Sequence, residues 1–272
     1  MDALKQLSGW PVGTATAGVI ADGGIVAVHG PTDQEFRWAS ITKLATAMAV
    51  MIAVEEGTLS LDQPAGPPGA TIRHLLAHAS GLPFDGSQPV ARPGTKRVYS
   101  NTGYETLAST LAVAAAMPFD DYLRAAVLDP LGLRSTRLEG TAAAGLRGPL
   151  SDLLRFATEV FHPTLVAAST FADMTSVVFP GLDGILPGVG RMRPMDWGLG
   201  FELRDAKSPH WTGTTNSAET YGHFGGSGSF LWVDPVAGVA CASLSDREFG
   251  PWSLEVWPRL SDAVLAEVGG RL

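Results

Sequence analysis

Two β-branched runs flank Asp22-Gly23-Gly24 in "TAGVIADGGIVAVHG" (16–30), a pattern that predicts a β-hairpin with those three residues as its turn. "FRWAS" then leads into a helix over about 40–56, which Gly57 should end. Apolar residues occupy every side of that helix rather than one stripe, so it is expected at the centre of the molecule. The proline- and glycine-rich "LDQPAGPPGA" (61–70) reads as a loop. Helical patterns follow at 71–79, 103–116, 119–132 and 150–161, with Asp120 and Ser151 as N-caps of the last two. "FPGLDGILPGVGRMRP" (179–194) has no period and reads as a loop. Strand patterns return at 198–205, 228–235 and 238–246, and a final helix over 253–268 is expected to bend or break near Pro258.

Strands at both ends and helices between them predict an α/β fold of the α+β type. An antiparallel sheet would be built from the N- and C-terminal segments and flanked by helices. On this reading 1–60 and 196–272 form the sheet-and-helix region and 61–195 an inserted, mainly helical one. Together they make one compact domain with the active site at their junction. A chain of 272 residues with 45% hydrophobic content is long enough to bury a real core. The net charge of −8 and the absence of basic runs argue against nucleic acid or an anionic membrane as partner. Cys241 is the single cysteine, which excludes an internal disulfide and a cysteine-based metal site. "MDALKQLSGWPVG" lacks the layout of a secretory signal, and "LATAMAVMIAV" (44–54) is too short to span a bilayer. A cytoplasmic protein is the expectation.

Lys43 is the one charged side chain between Arg37 and Glu55, and an ammonium on an apolar helix is costly unless it has a use. If the helix starts near Ser40, positions 40 and 43 share a face one turn apart. The serine hydroxyl would lie in the positive end of the peptide dipoles, which favours a developing oxyanion. A desolvated lysine tends to lose its proton, and a neutral amine beside a hydroxyl can activate it as a nucleophile. A snorkelling lysine is the plain alternative. Ser-x-x-Lys is expected roughly 0.3 times by chance in such a chain, so alone it carries little. "YSN" (99–101) and "HFG" (223–225) change the odds, since a Tyr-x-Asn is expected only roughly 0.03 times.

Together "SITK", "YSN" and "HFG" resemble the elements of the serine β-lactamase-like and penicillin-recognising family. That family includes class C β-lactamases, serine D-alanyl-D-alanine carboxypeptidases and related esterases. "TIRHLLAHASGLP", "LDPLGLRST", "WGLGF" and "GHFGGSGSFLWVDPVAG" are similar to the family's running text, and the likeness covers about 14–250. The resemblance implies a cofactor-free, metal-free serine hydrolase of small acyl substrates. Ser40 would be the acylated nucleophile and Lys43 its base. Tyr99 would be the leaving-group acid, its phenol made more acidic by nearby positive charge. Asn101 and His223 would support them, the N–H groups of Ser40 and Gly226 would form the oxyanion hole, and Phe224, Gly225 and Ser227 would meet substrate. The oligomeric state stays open.

Departures from the family pattern bear on the substrate. Phe224 stands where the family often has a threonine that helps bind a carboxylate, and a phenyl ring cannot donate that bond. Ser227 or Ser229 would be the substitutes. The expectation is therefore a carboxylesterase for small or apolar esters. A β-lactamase or D-alanyl-D-alanine peptidase is the alternative, and a catalytically silent binding homologue the second. "GGSGS" (225–229) fails as a nucleophile elbow, because no histidine follows residue 223. His74 and His78 are read as core or capping residues, and His29, His162 and His210 as ordinary loop or surface ones. Arg191 and Arg193 are read as solvated loop charges, with cations at the pocket mouth that meet an anionic group as the alternative. Trp197 and Trp211 are candidate pocket walls, and Trp232 is as readily core.

Overall fold

A computed structural model describes residues 1–270, so positions 271 and 272 of the expected C-terminal region lie outside it. The predicted hairpin forms: β1 (Ala15–Ala21) and β2 (Gly24–His29) pair antiparallel. Asp22 and Gly23 both take positive φ, 51° and 76°, as a tight two-residue turn requires. β3 (Glu35–Arg37) leads through a 3₁₀ turn, Ala39–Ile41, into α1 (Thr42–Glu55), which is buried on all sides until its last turn.

The expected helix at 71–79 is shorter, α2 (Ile72–Leu76). α3 (Asn101–Ala114) and α4 (Phe119–Leu123) follow, the latter running on as a π turn over Arg124–Leu128. β4 (Arg137–Leu138), β5 (Leu146–Pro149), α5 (Leu150–Phe161) and α6 (Ala168–Met174) complete the middle of the chain. The N-caps differ from expectation: Pro118 and Pro149 occupy those positions, Asp120 sits in the first turn of α4 and Ser151 inside α5. An acid in a first turn still complements the helix dipole.

The 179–194 segment is not a plain loop. β6 (Gly184–Leu186) and β7 (Gly190–Met192) pair there as a hairpin too short to show alternation. β8 (Glu202–Leu203), β9 (Tyr221–Gly225), β10 (Ser229–Asp234) and β11 (Val239–Ser245) precede α7 (Pro251–Gly269), which continues as one helix through Pro258, where a bend or break is expected.

Six strands form one antiparallel sheet in the order β2-β1-β11-β10-β9-β8, with Ala15 opposite Ser245 and Ala21 opposite Val239. The two ends of the chain thus meet at its centre, and α1, α3 and α5 come from between them. Successive side chains of a strand alternate between faces. Ile20, Leu231 and Ala242 accordingly join α1 and α5 in one core, while Val19, Trp232 and Cys241 join Trp257 and Leu260 of α7 in the other. Trp232 is therefore core, not pocket wall. Among the described residues no helix is long and apolar enough to cross a membrane.

Arg97 fixes the segment that carries Tyr99. It is 1% exposed, and its guanidinium donates to the carbonyls of Met195 (3.0 Å), Ala77 (2.5 Å), Val178 (2.8 Å) and Phe179 (3.2 Å). Burial lowers its pKa to about 10, so it remains a cation at neutral pH. Arg97→Ala leaves these carbonyls without a donor and should destabilise the fold by about 3 kcal/mol or more. The midpoint of urea unfolding measures this, and an unchanged midpoint contradicts the role.

Candidate active site

Ser40 lies in the 3₁₀ turn just before α1, next to Ala39, whose φ of +46° is unusual for a residue with a Cβ. Lys43, the second residue of α1, is fully buried. Its Nζ is 3.1 Å from Ser40 Oγ, 2.7 Å from Asn101 Oδ1 and 2.9 Å from the Ala143 carbonyl. Asn101 opens α3, where the Ser100 hydroxyl caps the helix by accepting from Gly103 N–H (2.9 Å). The 142–143 segment is held twice. Glu105 accepts from Ala143 N–H (2.9 Å), and Thr46 donates to the Ala142 carbonyl (2.7 Å).

Burial lowers the Lys43 pKa to about 7, against a weaker upward pull from Glu105 and Asp85. A neutral amine has two N–H groups and one lone pair. The Asn101 and Ala143 oxygens can only accept, so they take the two N–H groups and leave the lone pair facing the Ser40 hydroxyl.

Tyr99 departs from expectation. Its ring lies under Lys43 Nζ, 4.8 Å from the centroid, yet burial pushes its pKa up, only partly offset by the Ser40 hydroxyl beside it. A dry site disfavours phenolate, and a lysine that has itself lost its proton supplies no compensating charge. His223 Nδ1 accepts from Phe224 N–H (2.7 Å), which puts the ring proton on Nε2, 3.0 Å from Tyr99 Oη. His223 therefore donates to the phenol, whose own hydrogen is left to point elsewhere. Burial, with the Lys43 charge behind it, lowers the His223 pKa to about 3, so the imidazole stays neutral.

Gly225 ends β9 against the turn that carries Ser40. A Cβ there would lie 2.5 Å from the Trp38 carbonyl and 2.4 Å from Ser229 Oγ, so only glycine allows this approach. The adjoining Gly226 N–H has no hydrogen-bond acceptor among the described residues. Ser40, Tyr99, His223, Phe224 and Gly226 line one cavity of 150 Å³. A larger cavity of 520 Å³, walled by Phe171, Leu203 and Tyr221, contains none of them. Ser227 is not directed at that space as expected. Its hydroxyl donates to the Arg37 carbonyl (2.7 Å), and Ser229 donates to that of Trp38 (2.9 Å).

Other expectations divide. His78 is buried against Tyr99, 4.4 Å between rings, and accepts from Ser100 N–H, while His74 stacks on Phe179. Trp197 meets Tyr99 and His223 edge-on, and Trp211 packs on Phe224 at 5.5 Å. Arg191 and Arg193 are exposed partners of Asp183. His210 is not a surface residue. It is buried and donates to Glu202 (3.0 Å), which also takes Lys207 (2.8 Å) and Trp211 (3.1 Å). Glu105, Asp85 and the Ala143 carbonyl were not singled out from the sequence. Only Glu105 left a trace there, four residues after Asn101 and so on the same helical face.

Comparison with known proteins shows the family of the chain. The sequence profile of the family described as Beta-lactamase matches residues 11–266. A crystal structure of a β-lactamase from Mycobacterium bovis is 53% identical, with a TM-score of 0.96 over 98% of this chain and 99% of that one. Penicillin-binding protein 4 of Amycolatopsis lactamdurans is 28% identical over 85% of this chain and 76% of its own. Penicillin-binding protein 4* of Bacillus subtilis is 29% identical over 39% of this chain, and the match spans only 31% of that protein.

The Lys43 amine should titrate with a midpoint at about 7 when followed by NMR of its labelled ε-methylene. A midpoint near the ordinary 10.5 contradicts the site as described. Because the folded pKa is depressed, the unfolded chain holds the proton to higher pH. Stability should therefore rise from pH 7 to 10.5 relative to Lys43→Met, as chemical denaturation at several pH values will read.

Proposed function

The chain belongs to the β-lactamase family, and from that premise we propose that it is a cofactor-free carboxylesterase for small or apolar esters, working through an acyl-enzyme on Ser40. The observation that carries this reading is the buried Lys43 amine, 3.1 Å from Ser40 Oγ with a pKa of about 7. Neutral Lys43 takes the Ser40 proton as Oγ bonds the ester carbonyl carbon. The N–H groups of Ser40 and Gly226 hold the resulting oxyanion. Collapse breaks the bond to the alcohol oxygen, which receives a proton from the Tyr99 phenol, and Lys43 restores that proton. Water then adds to the acyl carbon as the base accepts its proton, the carboxylic acid departs, and Ser40 is protonated again. A phenol that holds its proton tightly suits Tyr99 as donor and relay rather than as a resting phenolate.

Two features support esters over anionic amides. Phe224 offers no donor to a substrate carboxylate, and the Ser227 and Ser229 hydroxyls are engaged by backbone carbonyls. The second reading, hydrolysis of β-lactams or D-alanyl peptides, draws support from the 53% identity to a protein described as a β-lactamase.

Turnover of p-nitrophenyl butyrate should exceed that of nitrocefin, and the reverse order favours the second reading. Phe224→Thr should move the ratio toward nitrocefin by about tenfold. The kcat/KM for ester should rise with pH through about 7, where Lys43 becomes a base. Lys43→Arg should lose about a thousandfold despite its charge, because arginine stays protonated. A fluorophosphonate probe should label the wild type and not Ser40→Ala. Absence of both Ser40-dependent labelling and ester turnover marks the chain as a silent binding protein.

A further inference from the structure

The 150 Å³ cavity at Ser40 adjoins a second one of 380 Å³, and the two share a partition made of Phe84, Tyr99 and Pro187. Phe84 stacks on Tyr99, 5.9 Å between rings at 26°. Its carbonyl accepts from Asn101 N–H (2.9 Å), so the partition is tied to the catalytic segment. The inner chamber cannot deepen. Phe224 and Phe249 together close it, 4.8 Å apart between rings, and Phe249 lies 5.3 Å from Trp257 of α7. An apolar cavity of about 150 Å³ is the size that accepts one benzene ring.

The outer chamber is larger and lined by apolar side chains left in water, Val90 at 67% exposure, Ile185 at 62% and Phe84 at 49%. Exposed apolar groups gathered around one cavity beside a reactive centre call for a ligand. Of its two cations, Arg97 is engaged by backbone carbonyls, and Lys96 is a solvent-exposed side chain.

We propose that the two chambers divide the ester, the inner one taking a short acyl group and the outer one a bulky apolar alcohol, so that the enzyme selects large leaving groups on small acids. Tyr99 fixes the direction. It is the wall between the chambers and the group that hands a proton to the departing oxygen, so the alcohol leaves on the side where the wall opens. This rests on the reading of Ser40 as the acylated residue.

Two series measured on the whole protein test it. With p-nitrophenol constant, kcat/KM should fall by about tenfold or more from butyrate to octanoate. With the acetyl group constant, 2-naphthyl acetate should be preferred to phenyl acetate. Val90→Asp and Ile185→Asp, both at exposed positions, should each lower kcat/KM for 2-naphthyl acetate by about fivefold and for phenyl acetate, whose single ring reaches less far along the chamber, by about twofold or less. Octanoate turned over as well as butyrate, or lowered by the aspartate variants in place of the naphthyl ester, reverses the assignment and overturns the proposal. Equal loss on both acetates overturns it as well. In each of these cases Ser40-dependent ester turnover persists and the esterase reading stands. Absence of that turnover in the wild type removes both.

Discussion

A primary amine held without water beside a serine hydroxyl is the constraint around which this molecule is arranged. Removing Lys43 from solvent makes its proton easy to lose, but a buried N–H without an acceptor is itself destabilising. Both demands are met because the two acceptors come from distant segments, Asn101 from the start of α3 and the Ala143 carbonyl from the stretch before β5. Each is held in turn, Asn101 by the cap on α3 and the 142–143 segment by Glu105 and Thr46. The position of one nitrogen thereby ties together the central helix, the helical region and a loop between short strands.

Dryness acts in opposite directions on the two groups flanking Ser40. In water the amine and the phenol lose protons at nearly the same pH, 10.5 and 10.0. In this site burial carries the amine down to about 7 and the phenol up, so the proton rests on Tyr99 and the lone pair on Lys43. One physical cause thus separates a proton acceptor from a proton donor, as the proposed roles require. The histidines preserve the separation, since His223 and His78 are both held neutral by burial and bring no cation to lower the phenol again.

The sequence carried the strongest parts of this arrangement. All-round apolarity announced α1 as central, and the serine–lysine spacing, the Tyr-x-Asn and the His-x-Gly marked residues that converge on Lys43 or on the cavity at Ser40. What stayed hidden has a physical reason in each case. Ala143 contributes a backbone carbonyl, which no residue type advertises. His210 looked like an ordinary loop histidine because its partners Glu202, Lys207 and Trp211 stand in no recognisable local pattern. The direction of the Tyr99 shift depended on whether its neighbouring lysine is charged, a property of three-dimensional burial. Ser227 shares its turn with the predicted oxyanion donor, and only the approach of Arg37 draws its hydroxyl away.

The pairing of Ala15–Ala21 with Val239–Ser245 has a consequence for how the molecule comes into being. During synthesis the β1–β2 hairpin emerges with its inner edge unmatched, and the strand that completes it follows only after the helices between them have been made. Neither α1 nor α5 has a finished sheet surface to rest on until then, so the packing that buries Lys43 waits for that strand. Such long-range closure slows folding, and until it forms the hairpin, with Ile25 and Val28 on its other strand open to solvent, presents an unpaired apolar edge.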